Sequence, residues 1–251
     1  MTEAVQIAEA LPNLPNANRV LDAYLSERRR PLGKFKPENY FNNTKAEFLN
    51  IKTDDLRAVV RALKKKKGEK SFKAFTNFLW NSGTFEKMSI AAECYALMDL
   101  KFEDFKSIVQ NIDNWAHNDS FSTRVSGVYL HKHPEEIEKL IPFAKSSNLW
   151  ERRFASVSLI LILKDNSMSH KKALKVLDIL MKDEHPDVMK TTDWMIRVLL
   201  AKNYDEGFSY MKKWAEYYRK NNDRNVRWVL VRARHKLHDK EKSELEKMID
   251  F

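Results

Sequence analysis

The sequence is poor in the residues that tight turns and covalent frameworks require. Its 251 residues include one cysteine, five glycines and seven prolines. A single cysteine excludes a disulfide framework and a cysteine-based zinc site, and it is typical of a reducing compartment. So few turn residues exclude β-sandwiches and barrels, which need a turn about every 8–12 residues, and also doubly wound α/β folds. Neither Gly-rich phosphate-loop pattern, GxGxxG or GxxxxGK[ST], occurs in the chain.

Long apolar runs are also missing. No run approaches the roughly 20 residues that a membrane helix needs, and the N-terminal MTEAVQIAEALPNLPNANR lacks the features of a signal peptide. We therefore expect a cytoplasmic protein that has no membrane segment. What the sequence has in excess is positive charge, since 45 Lys and Arg against 35 Asp and Glu give a net charge of +10. This excess suggests a polyanionic partner, although a generally solvated basic surface has the same composition.

Helical periodicity runs through the chain, and strand-like alternation is absent. Thr53 is a good N-cap for a helix that runs into the Lys64–Lys67 block. Pro186 is predicted to open a helix and Pro142 to break one. Gly207 is predicted to mark a corner between two helices. The sequence therefore predicts an all-α protein.

Similar helices recur along the second half of the chain. Trp150, Val188 and Val226 fall in register at intervals of 38 residues, and in each case a polar pair and then an apolar helix follow. This period is typical of HEAT and armadillo repeats, so we expect a HEAT-like or armadillo-type α-solenoid of stacked helix pairs, curved with a concave basic face. We expect a single domain over residues 1–251, with a helical arm at 1–36, repeats at 37–240 and a helix end at 241–251.

The common nucleophilic and metal motifs are absent. The sequence has no GxSxG and no HExxH. Cys94 lies in an apolar helical pattern, which favours a buried structural thiol over a nucleophile. His131 and His133 form the one close histidine pair, and HxH beside Pro134 is poor metal geometry. We expect no metal site.

The most informative stretch is NWAHNDSFSTRV at residues 114–125. Trp115 and Asp119 are four residues apart, so they share a face if they lie on one helix. A carboxylate beside an aromatic ring can stabilise a cationic, oxocarbenium-like sugar, because the carboxylate supplies charge and orients a water while the ring attracts positive charge. Asp119 followed by Ser120 is also good N-cap chemistry, and the spacing alone favours the cap.

Basic residues alternate with tryptophans on the later helices. The groups are Arg152 and Arg153 beside Trp150, Lys190 and Arg197 around Trp194, and Arg224, Arg227, Arg232 and Arg234 around Trp228. Such residues could follow a phosphate backbone, or they could cap helices and form salt bridges with the neighbouring repeat. For the tryptophans, a place in the core is the more common role.

Five runs of the chain, in this order and spacing, resemble the AlkD-type DNA alkylation repair family. They are FLNIKTDDLRAVVRAL (48–63), LW…E…A (79–92), NWAHNDSFSTRV (114–125), AKSSNLWERRFASVSLIL (144–161) and HPDVMKTTDWMIRVL (185–199). The resemblance covers about residues 37–240. It implies a HEAT-like solenoid whose concave basic face grips duplex DNA. It also implies monofunctional N-glycosylase chemistry on cationic N3- and N7-alkylpurines, with no metal and no nucleotide cofactor.

The resemblance also implies roles for single residues. Asp119 resembles the catalytic aspartate of the family, and Trp115 resembles the tryptophan packed on the lesion deoxyribose. Arg153 resembles a phosphate-contacting arginine, and Trp194 resembles the second aromatic residue of the lesion cleft. Further DNA-binding candidates are Trp150, Arg152 and Lys190.

One departure from the family pattern falls in the turn before the first repeat. Asn50 stands where the family often has glycine, and asparagine tolerates the positive φ that such a turn needs. The residues between Trp115 and Asp119 also differ from the best-known active member.

Three functions remain open at this point. The first is a monomeric DNA glycosylase. The second is a protein that holds branched or damaged duplex DNA without chemistry, which a buried Asp119 acting as a helix cap would favour. The third is a protein-binding α-solenoid scaffold for an acidic partner, which basic residues spread over both faces would favour.

Overall fold

The computed structural model describes residues 3–41, 44–165 and 170–250. These residues form α-helices with short 3-10 and π segments, and within these ranges the one extended pairing is an isolated bridge between Glu47 and Thr84. The prediction of an all-α protein is confirmed. The chain divides into two compact units between Val125 and Ser126. A single domain over residues 1–251 stays a prediction.

In the described part of the first unit there are eight named helices, and a 3-10 turn at Lys64–Lys66 follows the fourth. They are α1 (Glu3–Glu9), α2 (Leu14–Arg28), α3 (Pro37–Tyr40), α4 (Thr53–Leu63), α5 (Lys70–Trp80), α6 (Phe85–Tyr95), α7 (Asp104–Val109) and α8 (Trp115–Phe121). Helices α4, α6 and α8 pack in succession, and α5 packs against α6 and α2. The Trp80 indole N–H donates to the Ile108 carbonyl at 2.9 Å, so α5 also holds α7.

The first-unit core is aromatic. Phe75, Trp80, Phe105 and Phe121 are at most 1% exposed. The Phe121 ring lies 5.7 Å from Phe105 and 6.2 Å from Trp80, so α8 is packed against α5 and α7 through edge and tilted ring contacts. Truncating one of these rings to alanine is expected to cost about 3–5 kcal/mol.

Helix α4 starts without the predicted cap. Thr53 is the first helical residue, Lys52 is at the cap position, and no side chain makes a capping hydrogen bond there. Thr53 as N-cap is therefore wrong. The acidic Asp54 and Asp55 in the first turn favour the helix start through the macrodipole instead. Gly68, with φ of 96°, takes the left-handed conformation just after the lysine block.

The turn that precedes α4 is held by a buried carboxylate. Asn50 has φ of 60°, which confirms that asparagine takes the left-handed conformation there. The Glu86 carboxylate accepts hydrogen bonds from the backbone N–H of Leu49 at 3.0 Å and of Ile51 at 3.4 Å. Burial raises the pKa of Glu86, and the backbone N–H groups oppose that rise. Helix α6 thus fixes the path of the segment before α4.

The residues described in the second unit form nine named helices, with 3-10 segments at Pro134–Leu140 and Arg234–Lys236. The helices are α9 (Gly127–Lys132), α10 (Ile141–Ala144), α11 (Leu149–Val157), α12 (Ile160–Lys164), α13 (His170–Leu180), α14 (Pro186–Lys202), α15 (Tyr204–Asn221), α16 (Arg224–Ala233) and α17 (Asp239–Met248). Helices α11, α14 and α16 pack in succession. Helix α15 packs against α14, α16 and α17, so consecutive helices form stacked pairs within this unit.

The 38-residue register corresponds to the helices of one layer. Trp150, Val188 and Val226 are the second or third residues of α11, α14 and α16, and all three are buried. Each of these helices begins with a side chain that accepts a backbone N–H from the first turn: Asn148 for α11, His185 for α14 and Asp223 for α16. These caps satisfy N–H groups that no helical partner can reach, so the three helices start in the same way.

The predictions for proline and glycine had mixed outcomes. Pro186 opens α14, and Pro142 lies in the first turn of α10, where the preceding 3-10 segment ends; both predictions are confirmed. Gly207 as a helix corner is wrong, because it lies inside α15. A Cβ at Gly207 would lie 2.9 Å from Leu200 Cδ2 and 3.0 Å from Leu200 Cα. Glycine therefore allows α15 to approach α14 closely.

Candidate nucleic-acid interface

Helix α8 carries both residues of the predicted catalytic pair. Asn114 is its N-cap, because the side-chain oxygen of Asn114 accepts the His117 backbone N–H at 2.9 Å. Trp115 is the first residue of the helix and Asp119 the fifth, so the two side chains share one face. The interpretation of Asp119 as the N-cap of a helix that begins at Ser120 is wrong, because Asp119 lies inside α8.

Trp115 is held by residues far away in the sequence. Its indole N–H donates to the Tyr40 carbonyl at 3.0 Å. The ring lies 5.5 Å from the Tyr40 ring in a T-shaped contact and 5.5 Å from the Phe41 ring in a tilted one. Trp115 keeps part of its surface exposed. The indole is therefore fixed in orientation and still accessible to a ligand.

His117 lies between the two residues of the pair in sequence and is buried. Its side chain contacts the Asn114 amide at 2.9 Å through Nδ1 and the Phe85 carbonyl at 3.1 Å through Nε2. Because the amide N–H₂ of Asn114 donates, Nδ1 accepts and the proton is on Nε2. Burial lowers the pKa of His117 to about 4. The imidazole is therefore neutral near pH 7 and serves to hold α8.

A carboxylate next to the cap extends this network. Asp113 accepts hydrogen bonds from the Thr44 hydroxyl at 2.9 Å and from the Lys45 backbone N–H at 2.7 Å. The Asn114 amide also donates to Asp113 at 2.9 Å. The start of α8 is thus tied on one side to the Thr44–Lys45 segment and on the other to α6. Sequence reasoning missed this network, although Asn at the position before Trp115 is a standard capping signal.

Asp119 is half-buried, and the helix changes its winding directly after it. The Asp119 carbonyl accepts the Thr123 hydroxyl at 2.7 Å, and residues Ser122–Ser126 form a π-helical segment. In the same segment Arg124 forms an ion pair with Glu93. Single π turns inside helices are frequent at functional sites. This feature is therefore compatible with a functional site around Asp119.

Two of the candidate arginines in the second unit are engaged within the protein. Arg153 is 6% exposed, and its guanidinium donates to the Asp187 carbonyl at 2.6 Å, in the first turn of α14. Arg152 forms a two-point contact with Asp183, at 2.5 and 3.3 Å. These contacts favour the alternative role of linking neighbouring repeats over direct phosphate contact. Trp150 is 9% exposed, which fits a place in the core.

Lys190 and Trp194 on α14 are more accessible. The Lys190 side chain is 52% exposed and contacts Asp187 at 3.4 Å. Trp194 is half-buried and lines a pocket of about 180 Å³. The residues that share this pocket are mostly cationic: Lys164, Arg197, Lys202 and Lys236, with Val198 and Ala201. An anionic group beside Trp194 would be surrounded by positive charge.

Sequence reasoning also missed a buried carboxylate next to Trp194. Asp193 is inaccessible to solvent and accepts Arg197 at 2.5 Å and Arg232 at 2.9 Å, so it links α14 to α16. The Arg232 guanidinium lies 4.7 Å from the centre of the Trp228 ring. The sequence Asp193–Trp194 does not reveal this link between helices, because Arg232 is 39 residues away from Asp193.

The seven candidate residues therefore fall into two groups. Trp115 and Asp119 lie together in the first unit; Trp150, Arg152, Arg153, Lys190 and Trp194 lie in the second. Across the described ranges, no three His, Cys, Asp or Glu side chains are grouped so that they could hold a metal ion. In the same ranges, no helix is both long and apolar enough to cross a bilayer.

Comparison with known proteins agrees with the resemblance found in the sequence. None of the curated proteins compared with this chain matches it. A family model described as DNA alkylation repair enzyme matches residues 22–237, which include both groups of candidate residues. The match covers most of the chain and confirms the AlkD-type resemblance. The chain therefore belongs to the DNA alkylation repair enzyme family.

Proposed function

We propose that this protein is a monofunctional DNA glycosylase that releases cationic N3- and N7-alkylpurines from duplex DNA. Membership of the DNA alkylation repair enzyme family supports DNA as the substrate. The net charge of +10 supports a polyanionic ligand.

The observation that carries the proposal is the position of Asp119. It lies four residues after Trp115 on the same face of α8 and is half-buried. A buried Asp119 acting as a helix cap would have favoured DNA binding without chemistry, and Asp119 is instead the fifth residue of α8. This shared face supports the proposal that the carboxylate and the indole act on one ligand.

The chemistry needs little from the protein because the substrate already carries a positive charge. When the bond between C1′ and the base nitrogen breaks, both electrons go to the base, which leaves as a neutral molecule. The sugar becomes positively charged, and the Asp119 carboxylate and the Trp115 ring stabilise that charge. A water oriented by Asp119 then bonds to C1′ and gives up a proton, which yields an abasic site.

The remaining candidates are proposed to grip the duplex. Lys190 and Trp194 are accessible on α14, and we assign them to contact with the DNA backbone and the lesion strand. We assign a supporting role to Arg152, which contacts Asp183 before α14, and to Arg153, which donates to the Asp187 carbonyl in the first turn of α14. The buried Trp150 is assigned the same role.

Removal of the Asp119 charge tests the proposal. Base release from duplexes that contain N7-methylguanine or N3-methyladenine is measured with wild type, Asp119→Asn and the control Asp99→Asn, an exposed carboxylate outside α8. We expect roughly 100-fold or more loss of rate for Asp119→Asn and none for Asp99→Asn. Full release by Asp119→Asn would refute the mechanism. No release by wild type, with duplex binding intact, would indicate a DNA-structure-binding protein.

Three further properties belong to the same proposal. The reaction requires neither a metal nor a nucleotide cofactor, so base release is expected to continue in excess EDTA. The active form is a monomer, which sedimentation of the active protein tests. Its location is the cytoplasm, in keeping with the single reduced cysteine.

A further inference from the structure

Two exposed aromatic rings lie beside the candidate catalytic pair. In the part of the chain that the structure describes, four large hydrophobic residues are at least 36% exposed: Phe35, Tyr40, Phe78 and Val128. Phe35 and Tyr40 are in T-shaped contact at 5.6 Å, and Tyr40 in turn contacts Trp115. We call Phe35 and Tyr40 the aromatic shelf.

The shelf is rigidly supported from below. Phe41 is 6% exposed and lies 5.5 Å from Trp115 and 4.6 Å from Phe85 of α6. Phe35 contacts Phe41 and Phe48 as well as Tyr40. The two exposed rings are therefore held in place by contacts with neighbouring aromatic rings.

The segment that carries the shelf has more cations than carboxylates. Between residues 29 and 47 the chain has five exposed cations, Arg29, Arg30, Lys34, Lys36 and Lys45, and two exposed carboxylates, Glu38 and Glu47. Exposed rings on a segment rich in cations match a ligand that offers planar π systems and phosphates together. Duplex DNA has both. Because Tyr40 contacts Trp115, a lesion strand that reaches Trp115 would also reach the shelf.

We propose that the aromatic shelf contacts the nucleotide next to the one that Trp115 faces, with Tyr40 as the principal contact. This inference rests on the proposed function for its ligand, damaged duplex DNA, and it adds a binding determinant outside the candidate residues found from the sequence. A damaged site favours such a contact, because a weakened or missing base leaves its neighbour partly unstacked and open to an aromatic ring.

Two substitutions at position 40 isolate the ring. Tyr40→Leu removes the π face, while the main-chain carbonyl that accepts the Trp115 indole N–H stays in place. Tyr40→Phe keeps the ring and removes the hydroxyl. Phe78→Leu is the matched control, an aromatic residue of similar exposure on α5 that stacks on Phe75.

The measurement is binding of a fluorescein-labelled duplex that contains a tetrahydrofuran abasic analogue, which the enzyme cannot process. We expect Tyr40→Leu to weaken binding about tenfold, equivalent to about 1.4 kcal/mol, since stacking of one base on an aromatic ring is worth a similar amount. Tyr40→Phe and Phe78→Leu are expected to bind as wild type. The dependence of affinity on salt is expected to be the same for Tyr40→Leu and wild type, because no cation has been removed.

Three results would overturn the inference: wild-type affinity in Tyr40→Leu, an equal loss in Tyr40→Phe, or an equal loss in Phe78→Leu. Thermal melting of each variant shows whether a loss of affinity is caused by unfolding. An affinity loss that is absent at a temperature at which wild type and variant are both folded would also count against the inference. Failure of the proposed glycosylase activity is distinguishable, since binding to the analogue does not depend on base release.

Discussion

The buried His117 makes the stability of this protein depend on pH in a way that can be calculated. In the unfolded chain an imidazole has a pKa of 6.5, and in the folded protein burial lowers the pKa of His117 to about 4. Between these values the unfolded chain binds more protons than the folded protein, so stability is lost as the pH falls. One pKa unit corresponds to about 1.4 kcal/mol, so the full loss is roughly 3 kcal/mol, of which about 2 kcal/mol has occurred by pH 5.

The perturbation is His117→Gln, which keeps an N–H donor near the Phe85 carbonyl and does not titrate. Urea unfolding of wild type and variant, followed by circular dichroism at pH 8, 7, 6 and 5, gives the free energy of unfolding for each. We expect wild type to be the more stable protein at pH 8. We expect its advantage to shrink by about 2 kcal/mol at pH 5.

Other carboxylates and histidines titrate in both proteins, so their effects cancel in the difference. Parallel pH dependences for wild type and His117→Gln would refute the reasoning, because they would show that His117 takes up its proton equally in the folded and unfolded states.

Two further predictions concern single buried positions. Burial raises the pKa of the Cys94 thiol to about 12, so iodoacetamide at pH 8 is expected to leave the native protein unlabelled and to react once guanidinium unfolds it; rapid labelling of the native protein would contradict this. Gly207→Ala is expected to destabilise the protein by about 1–2 kcal/mol in urea unfolding, because the clash of the new Cβ with Leu200 outweighs the gain in helix propensity, whereas the exposed Ser209→Ala on the same helix is expected to cause no loss.

The parts of the fold that follow from short-range patterns could be predicted from the sequence. Scarce glycine and proline together with helical periodicity predicted an all-α protein. The 38-residue register identified α11, α14 and α16, because the same buried position recurs at the start of each helix. Pro186 and Asn50 were predicted correctly, since each residue type has a strong local backbone preference.

Features that depend on the choice between alternative N-caps, or on contacts between residues far apart in the sequence, could not be predicted. Asn114 and Asp119 are both good N-cap residues, and local sequence does not decide whether a helix begins at Trp115 or at Ser120. Arg153 has the charge expected of a phosphate-binding residue, but its guanidinium donates to the Asp187 carbonyl, which is 34 residues away in the sequence. Gly207 resembles a turn residue in sequence, although its role is set by the side chain of Leu200 on the neighbouring helix.

The main chain and the side chain of residue 40 make separate contacts with Trp115. The indole N–H donates to the main-chain carbonyl of residue 40, which any amino acid supplies, while the Tyr40 ring adds a T-shaped contact. Side chains at that position can therefore vary without releasing the tryptophan. Substitutions at residue 40 would then change the surface beside Trp115 and keep the hydrogen bond that holds its indole N–H.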